Sequence, residues 1–272
     1  MNSKFTNRDR RLARLSFERL EKREVFSGNV TASLSGGDLV ITGDDQPNRI
    51  VVTQIAAGRY QVTAEDNTTV NGQSSKIISG VTDDIRIHLL RGPDHLTVQG
   101  VSVPDDLEIG TGFGPDQIVQ ILNTKIHGDL AVFTRDGNDG LLIQNVIVGK
   151  DGVGTAFIQT GDGNDSVEIQ HMIVAGTATL RTGLGNDRIN VSQEANFGHF
   201  SISADGGNDL AIINQVAVKG TLTVDMGTGN DSLSVDNVIA FAINLKGGSL
   251  NDRLHTANLK GKVTISGFEQ FV

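Results

Sequence analysis

Five short motifs constrain what this chain can fold into. GDGND (161–165), GLGND (183–187), DGGND (205–209) and GTGND (227–231) are followed by a degenerate GGSLND (247–252), and their closing aspartates lie 22, 22, 22 and 21 residues apart. Asp94, Asp116 and Asp139 carry the column back toward the N-terminus, at intervals of 22, 23 and 26 up to Asp165. A fixed period of this size marks a solenoid, in which each repeat buries its apolar face against its neighbours.

With each aspartate as position zero, apolar residues recur at plus two and plus four: Val167 and Ile169, Ile189 and Val191, Ala211 and Ile213, Leu233 and Val235. Such alternation is a strand signal, because a strand sends every second side chain to one face. A second apolar patch follows at plus seven to nine (Met172 to Val174, Val216 and Val218, Val238). A third sits at plus thirteen and fifteen (Ala178 and Leu180, Phe200 and Ile202, Leu222 and Val224). Three short strands and three corners fill the period, which predicts an all-β, parallel β-helix. Its hand is expected to be right, from the general preference of β-crossovers.

The corners differ in chemistry. GxGND suits a turn, since glycine accepts positive φ and Asn or Asp tolerates it. Plus six is mostly amide (Asn145, His171, Gln193, Gln215, Asn237, Asn258), and plus eleven carries Gly176, Gly198 and Gly220. Coils stack at ~4.8 Å, close enough for like amides to hydrogen-bond up the stack. The Asn column before each aspartate (Asn138, Asn164, Asn186, Asn208, Asn230, Asn251) is a second candidate ladder.

The 272 residues leave room for about eleven coils from Thr31 onward at the ordinary strand spacing. Asn48 takes the aspartate place in the first of them, and the 46 residues to Asp94 read as two coils. Residues 73–76 are expected to project as a loop, and Lys150-Asp-Gly-Val-Gly as an insertion. At the far end Val263 and Ile265 form a last inward strand, with Phe268 and Phe271 as candidate covers.

Residues 1–30 stand apart as a basic segment before the repeat domain of 31–272. They hold eight Lys/Arg and four Asp/Glu, and with the chain at −9 and this stretch at +4 the remainder carries −13. Leu12, Leu15 and Leu20 lie at helical spacing, and Glu18 precedes Lys22 by four, a favourable pair; the segment is helical or disordered. An acidic body argues against nucleic acid, which calls for a basic footprint, and suits cations. Cysteine is absent, so disulfides and Cys-based zinc sites are excluded. No run of about twenty apolar residues predicts a transmembrane helix.

Leu20-Glu21-Lys22-Arg23-Glu24-Val25-Phe26-Ser27 resembles the LE-x-R-x-L-L-S motif near the N-terminus of planctomycete exported proteins, with Val25 and Phe26 where leucines are usual. The resemblance implies export, to the extracellular space or cell surface. The GxGND unit resembles the RTX calcium-binding repeat GGxGxDxUx, a β-helix that binds Ca²⁺. That resemblance implies Ca²⁺ ligation by Asp165, Asp187, Asp209 and Asp231, with turn-glycine carbonyls completing the shell. The first family glycine is replaced by Thr160, Thr182, Ala204 and Met226.

Two readings of the aspartate column stand. Carboxylates ~4.8 Å apart repel by about 0.9 kcal/mol in water and ~3.5 kcal/mol at an effective dielectric of 20, and a hard cation relieves that repulsion. Alternatively each Asp accepts turn N–H groups and caps its corner.

Catalytic signals are sparse. The six histidines fall at unrelated places in the period, and neither a GxSxG elbow nor a P-loop occurs. The expected function is that of an exported structural or adhesion-type solenoid, with calcium and cell-surface polysaccharide or protein as partners. The alternative is a carbohydrate-active β-helix enzyme using outward residues of the third strand, such as Arg181, Asp225 and Lys246.

Overall fold

The computed structural model describes residues 28–150 and 152–272. The helix expected over the basic segment and the export-type motif at 20–27 lie outside the described residues, while Asn29 already opens the first strand, Asn29–Ser35. All regular structure among the described residues is strand, arranged as a β-solenoid of about eight turns with ~22-residue spacing.

The three apolar patches become three inward columns. Val167, Ile189, Ala211, Leu233 and Leu254 stack in parallel register and are buried. Val174, Phe197, Val218 and Ala240 form the second column, and Ala178, Phe200, Leu222 and Ile243 the third. Phe197 and Phe200 stack on each other, ring centroids 4.2 Å apart.

The amide corner is left-handed throughout: Asn123, Asn145, His171, Gln193, Gln215, Asn237 and Asn258 have φ between 49° and 60°. Its side-chain bonds form at the two ends, from Asn145 to Asn123 at 3.0 Å and from Asn258 to Asn237 at 2.9 Å. His171 breaks the run of amides between them. At the third corner the paired strands slip register, between Val174 and Thr177 and again between Phe197 and Phe200. Glycine serves close approach there: a Cβ on Gly198 would lie 2.4 Å from the carbonyl oxygen of Gly176.

The eleven coils expected from length become about eight turns, because residues 49–80 are spent differently. Strands Arg49–Ala56, Arg59–Ala64 and Ser75–Ser79 pair antiparallel as a side excursion. The stretch from Asn48 to Asp94 is thus one coil plus this meander. The strand Arg49–Ala56 stacks directly under His95–Gln99, and Asp38–Thr42 under Ile85–His88. Residues 73–76 do not project as a loop. Gln73 bridges back to Val70, and Ser75 enters a strand. Tyr60 anchors the excursion; it is buried and its hydroxyl donates to the carbonyl of Ser102 at 2.6 Å. At the insertion near Lys150, Lys150 and Val153 bridge each other antiparallel, and the extra residues account for the 26-residue interval.

The last coil, Lys260–Ser266, carries Val263 and Ile265 at 38% and 39% exposure. Phe268 packs against the core, whereas Phe271 stays 68% exposed.

Candidate functional site

Every corner aspartate points into the solenoid. Asp165, Asp187, Asp209 and Asp231 are at most 3% exposed. Oδ1 of each accepts the backbone N–H of the aspartate one coil earlier: Asp139 to Asp165, Asp165 to Asp187, Asp187 to Asp209 and Asp209 to Asp231, all at 2.8 Å. The series begins with the N–H of Asn48 on Asp94 at 2.7 Å. It ends where the N–H of Asp252 donates to Oε2 of Glu269 at 2.8 Å. A glutamate, with its longer reach, closes the ladder after only 17 residues.

The neighbouring asparagines form a ladder of opposite sense. Oδ1 of Asn164 accepts the N–H of Asn186, one coil later, at 2.8 Å, and Asn186 does the same for Asn208 and Asn208 for Asn230. Adjacent residues of one turn therefore clasp the coils above and below.

The second carboxylate oxygen is the unusual part. Oδ2 of each column aspartate from Asp94 to Asp252 is buried with no hydrogen-bond partner among the described residues. Burial disfavours the charged form, and it is the leading cause that raises every carboxyl in the series. Asp94 is pushed to about 8, Asp139, Asp165 and Asp209 to about 7, and Asp116 and Asp231 to about 6. Asp187 and Asp252 are raised for the same reason. A threonine hydroxyl beside the carboxyl (Thr111 at Asp116, Thr134 at Asp139, Thr160 at Asp165, Thr182 at Asp187) and the backbone N–H bonds oppose this, and neighbouring carboxylates add to it at Asp165 and Asp209.

Asn48 shows what this place accepts. Its Nδ2, the counterpart of an aspartate Oδ2, donates to the carbonyls of Asp44 and Gln46 at 3.0 and 2.6 Å. By the register of the repeat, the equivalent carbonyls at Asp187 belong to Gly183 and Gly185. A buried carboxylate oxygen without a partner calls for a proton or a cation beside it.

As a Ca²⁺ site the donor set is sparse. The ion takes about six to eight oxygens, and each level supplies one unpartnered carboxylate oxygen beside turn carbonyls. Some of those carbonyls are engaged: Gly183 accepts the N–H of Gly206 at 3.2 Å and Gly227 that of Ser249 at 3.1 Å. The turn glycines have a packing reason to be glycine. A Cβ on Gly163 would lie 1.5 Å from the carbonyl oxygen of Gly137, and one on Gly185 1.8 Å from that of Gly163. The missing first glycine is explained as well, because Thr160, Thr182, Ala204 and Met226 are core positions, each fully buried.

A second aspartate ladder escaped the sequence analysis. Asp38, Asp84 and Asp106 accept the N–H groups of Asp84, Asp106 and Asp129, and Asp129 that of Thr155, at 3.2 to 2.6 Å. The spacing of Asp84, Asp106 and Asp129 was a legible signal, since 22 and 23 residues separate them. Here Arg86 pairs with two of the four, bridging Asp38 and Asp84 at 2.6 Å each.

Of the outward third-strand residues Arg181, Asp225 and Lys246, the first two share a hollow and Lys246 lies outside it. Arg181, Ser203 and Asp225 line one shallow hollow. Asp225 is engaged by Lys246 at 3.2 Å, and the guanidinium of Arg181 lies 5.8 Å from the ring centre of Phe157. Among the described residues no helix is long and apolar enough to cross a membrane. No family model matches the chain, and no match is found among curated proteins or solved structures.

Proposed function

We propose that this chain is a non-catalytic structural solenoid, exported to a cell surface or matrix, where its faces hold a polysaccharide or protein partner. One observation carries the reading: the polar residues that define the repeat are consumed in joining coils. Aspartate Oδ1, asparagine Oδ1 and the turn glycines are all engaged between successive levels. Such a repeat serves the stack itself, and fold alone does not confer activity. The test is incubation of the purified full chain with acidic and neutral polysaccharides, following both co-sedimentation and chain length. Retention without shortening is expected. Cleavage that disappears in Asp225→Ala or Arg181→Ala would instead establish the carbohydrate-active enzyme.

A second reading, calcium held at the GxGND turns by Asp165, Asp187, Asp209 and Asp231, is favoured by their unpartnered Oδ2 atoms. A bound ion stabilises only the folded state, by ~2.7 kcal/mol at a hundredfold excess over Kd. Millimolar Ca²⁺ then raises the melting temperature more than Mg²⁺ does, and more at pH 8 than at pH 5, where protons compete. Unchanged melting in Ca²⁺ and in chelator would remove this reading and leave the first intact.

A further inference from the structure

On this acidic rod, one hollow of about 390 Å³ is lined by two arginines and exposed apolar side chains. Phe113 sits at its centre, 42% exposed. The guanidinium of Arg91, on the coil before, lies 5.2 Å from the ring centre, and that of Arg135, on the coil after, 5.6 Å. Gly110 opens the space by presenting no side chain between His88 and Phe133, its partners in register. Among the described residues neither Arg91 nor Arg135 pairs with a carboxylate, whereas His88 faces Glu108 at 3.1 Å. One exposed acid, Asp45, stands at the rim, so the two arginines exceed it by one charge.

The backbone singles out the same place. Four residues before each column aspartate the chain turns through positive φ, and glycine fills that position in most coils, with Gly112, Gly161, Gly183 and Gly227 between 92° and 104°. Asp205 fills it once, at φ 61°, as an aspartate tolerates; Leu90 and Arg135 occupy it on either side of Gly112, at φ 76° and 71°. A leucine or arginine there is strained, and such strain concentrates where side chains are needed for binding. Both side chains face the one hollow.

We propose that this hollow binds an organic oxyanion, a carboxylate or sulfate carried on an apolar ring. Phe113 holds the guanidiniums of Arg91 and Arg135, which take the oxyanion through charge-assisted, forked hydrogen bonds, and Leu90 covers the ring. The volume is that of a small-molecule site. The proposal does not depend on the structural role above.

The test is titration of the full chain with benzoate, phenyl sulfate and inorganic sulfate, read by calorimetry. Saturable binding of the two ring-bearing anions is expected, with inorganic sulfate weaker. Arg135→Gly is the informative variant, because it removes the guanidinium while installing the residue the backbone prefers. It should weaken binding about tenfold or more with an unchanged or raised melting temperature. Arg181→Ala, which removes an arginine stacked on a different phenylalanine, should leave binding as it is. Absence of saturable heat with either aromatic anion, or equal loss in Arg135→Gly and Arg181→Ala, would overturn the site. Inorganic sulfate binding as tightly as phenyl sulfate would overturn the apolar half of the assignment.

Discussion

The backbone N–H of Asp165 donates to Oδ1 of Asp187 at 2.8 Å, across the 22 residues of one coil. The side chain is shared between two levels: one oxygen holds the coil before it, and the other is buried without a partner. Repetition of this unit lines one corner of the apolar core with a column of carboxyls, whose charge the fold tolerates at a cost that depends on pH.

That dependence has a definite sign. Asp94, Asp116, Asp139, Asp165, Asp209 and Asp231 are raised from 3.8 to between about 6 and about 8 in the folded state, so the folded chain binds more protons than the unfolded one from about pH 4 up to those values. Stability is therefore highest at or below about pH 4 as far as these groups are concerned. It falls from about pH 4 upward, as the unfolded carboxyls lose protons that the folded ones keep, and levels off above about 8. Each extra proton bound by the folded state tilts stability by about 1.4 kcal/mol per pH unit. Denaturant melts between pH 8.5 and 4.5 should show the midpoint increasing on acidification; a midpoint that drops steadily over the same range would contradict the buried, unpaired oxygens.

Asp187→Asn retains an acceptor for the N–H of Asp165 and supplies a donor to the turn carbonyls, as Asn48 does at its own level. Stability at pH 8 should be equal or higher than in the parent, and the pH dependence shallower. Asp187→Ala strands a buried N–H and should cost about 1–3 kcal/mol. Equilibrium unfolding of the two variants at pH 8 and pH 5 separates these outcomes.

Asn164→Ala removes the equivalent acceptor for Asn186, but this ladder lies on the exposed side of the turn and water replaces the lost partner. A loss of no more than about 1 kcal/mol is expected. Urea unfolding beside Asp187→Ala makes the comparison directly, and equal costs would show that burial is not what distinguishes the two ladders.

Gly163→Ala should be severely destabilising, by roughly 3 kcal/mol or more, because its Cβ would meet the carbonyl of Gly137 at 1.5 Å while φ is 148°. Gly100→Ala serves as the reference. Its φ is 62° and nothing lies within 4 Å of the added carbon, so only the left-handed backbone penalty of about 1–2 kcal/mol applies. Thermal melts of both should rank them in that order, with Gly163→Ala failing to fold at the extreme.

The period alone determined the strands, their inward faces and the corners. Val167, Ile189 and Leu233 are buried because stacking gives each coil the same neighbours at the same offset, so a pattern along the chain becomes a pattern in space. The glycine turns were legible for the same reason. What tertiary structure decided depends on which coil lies next to which. The 46 residues from Asn48 to Asp94 fit two coils by count, yet the hydrogen bond between these two residues makes their coils adjacent, and residues 59–79 fold back antiparallel. The inward aim of the aspartates also lay beyond pattern, since a polar residue at a corner is compatible with either side of the wall. Arg91, Phe113 and Arg135 are separated by 22 residues each, and no local signal joins them. They meet because the coil pitch brings residues one period apart to stacking distance, and that contact exists only once the register of neighbouring coils is set.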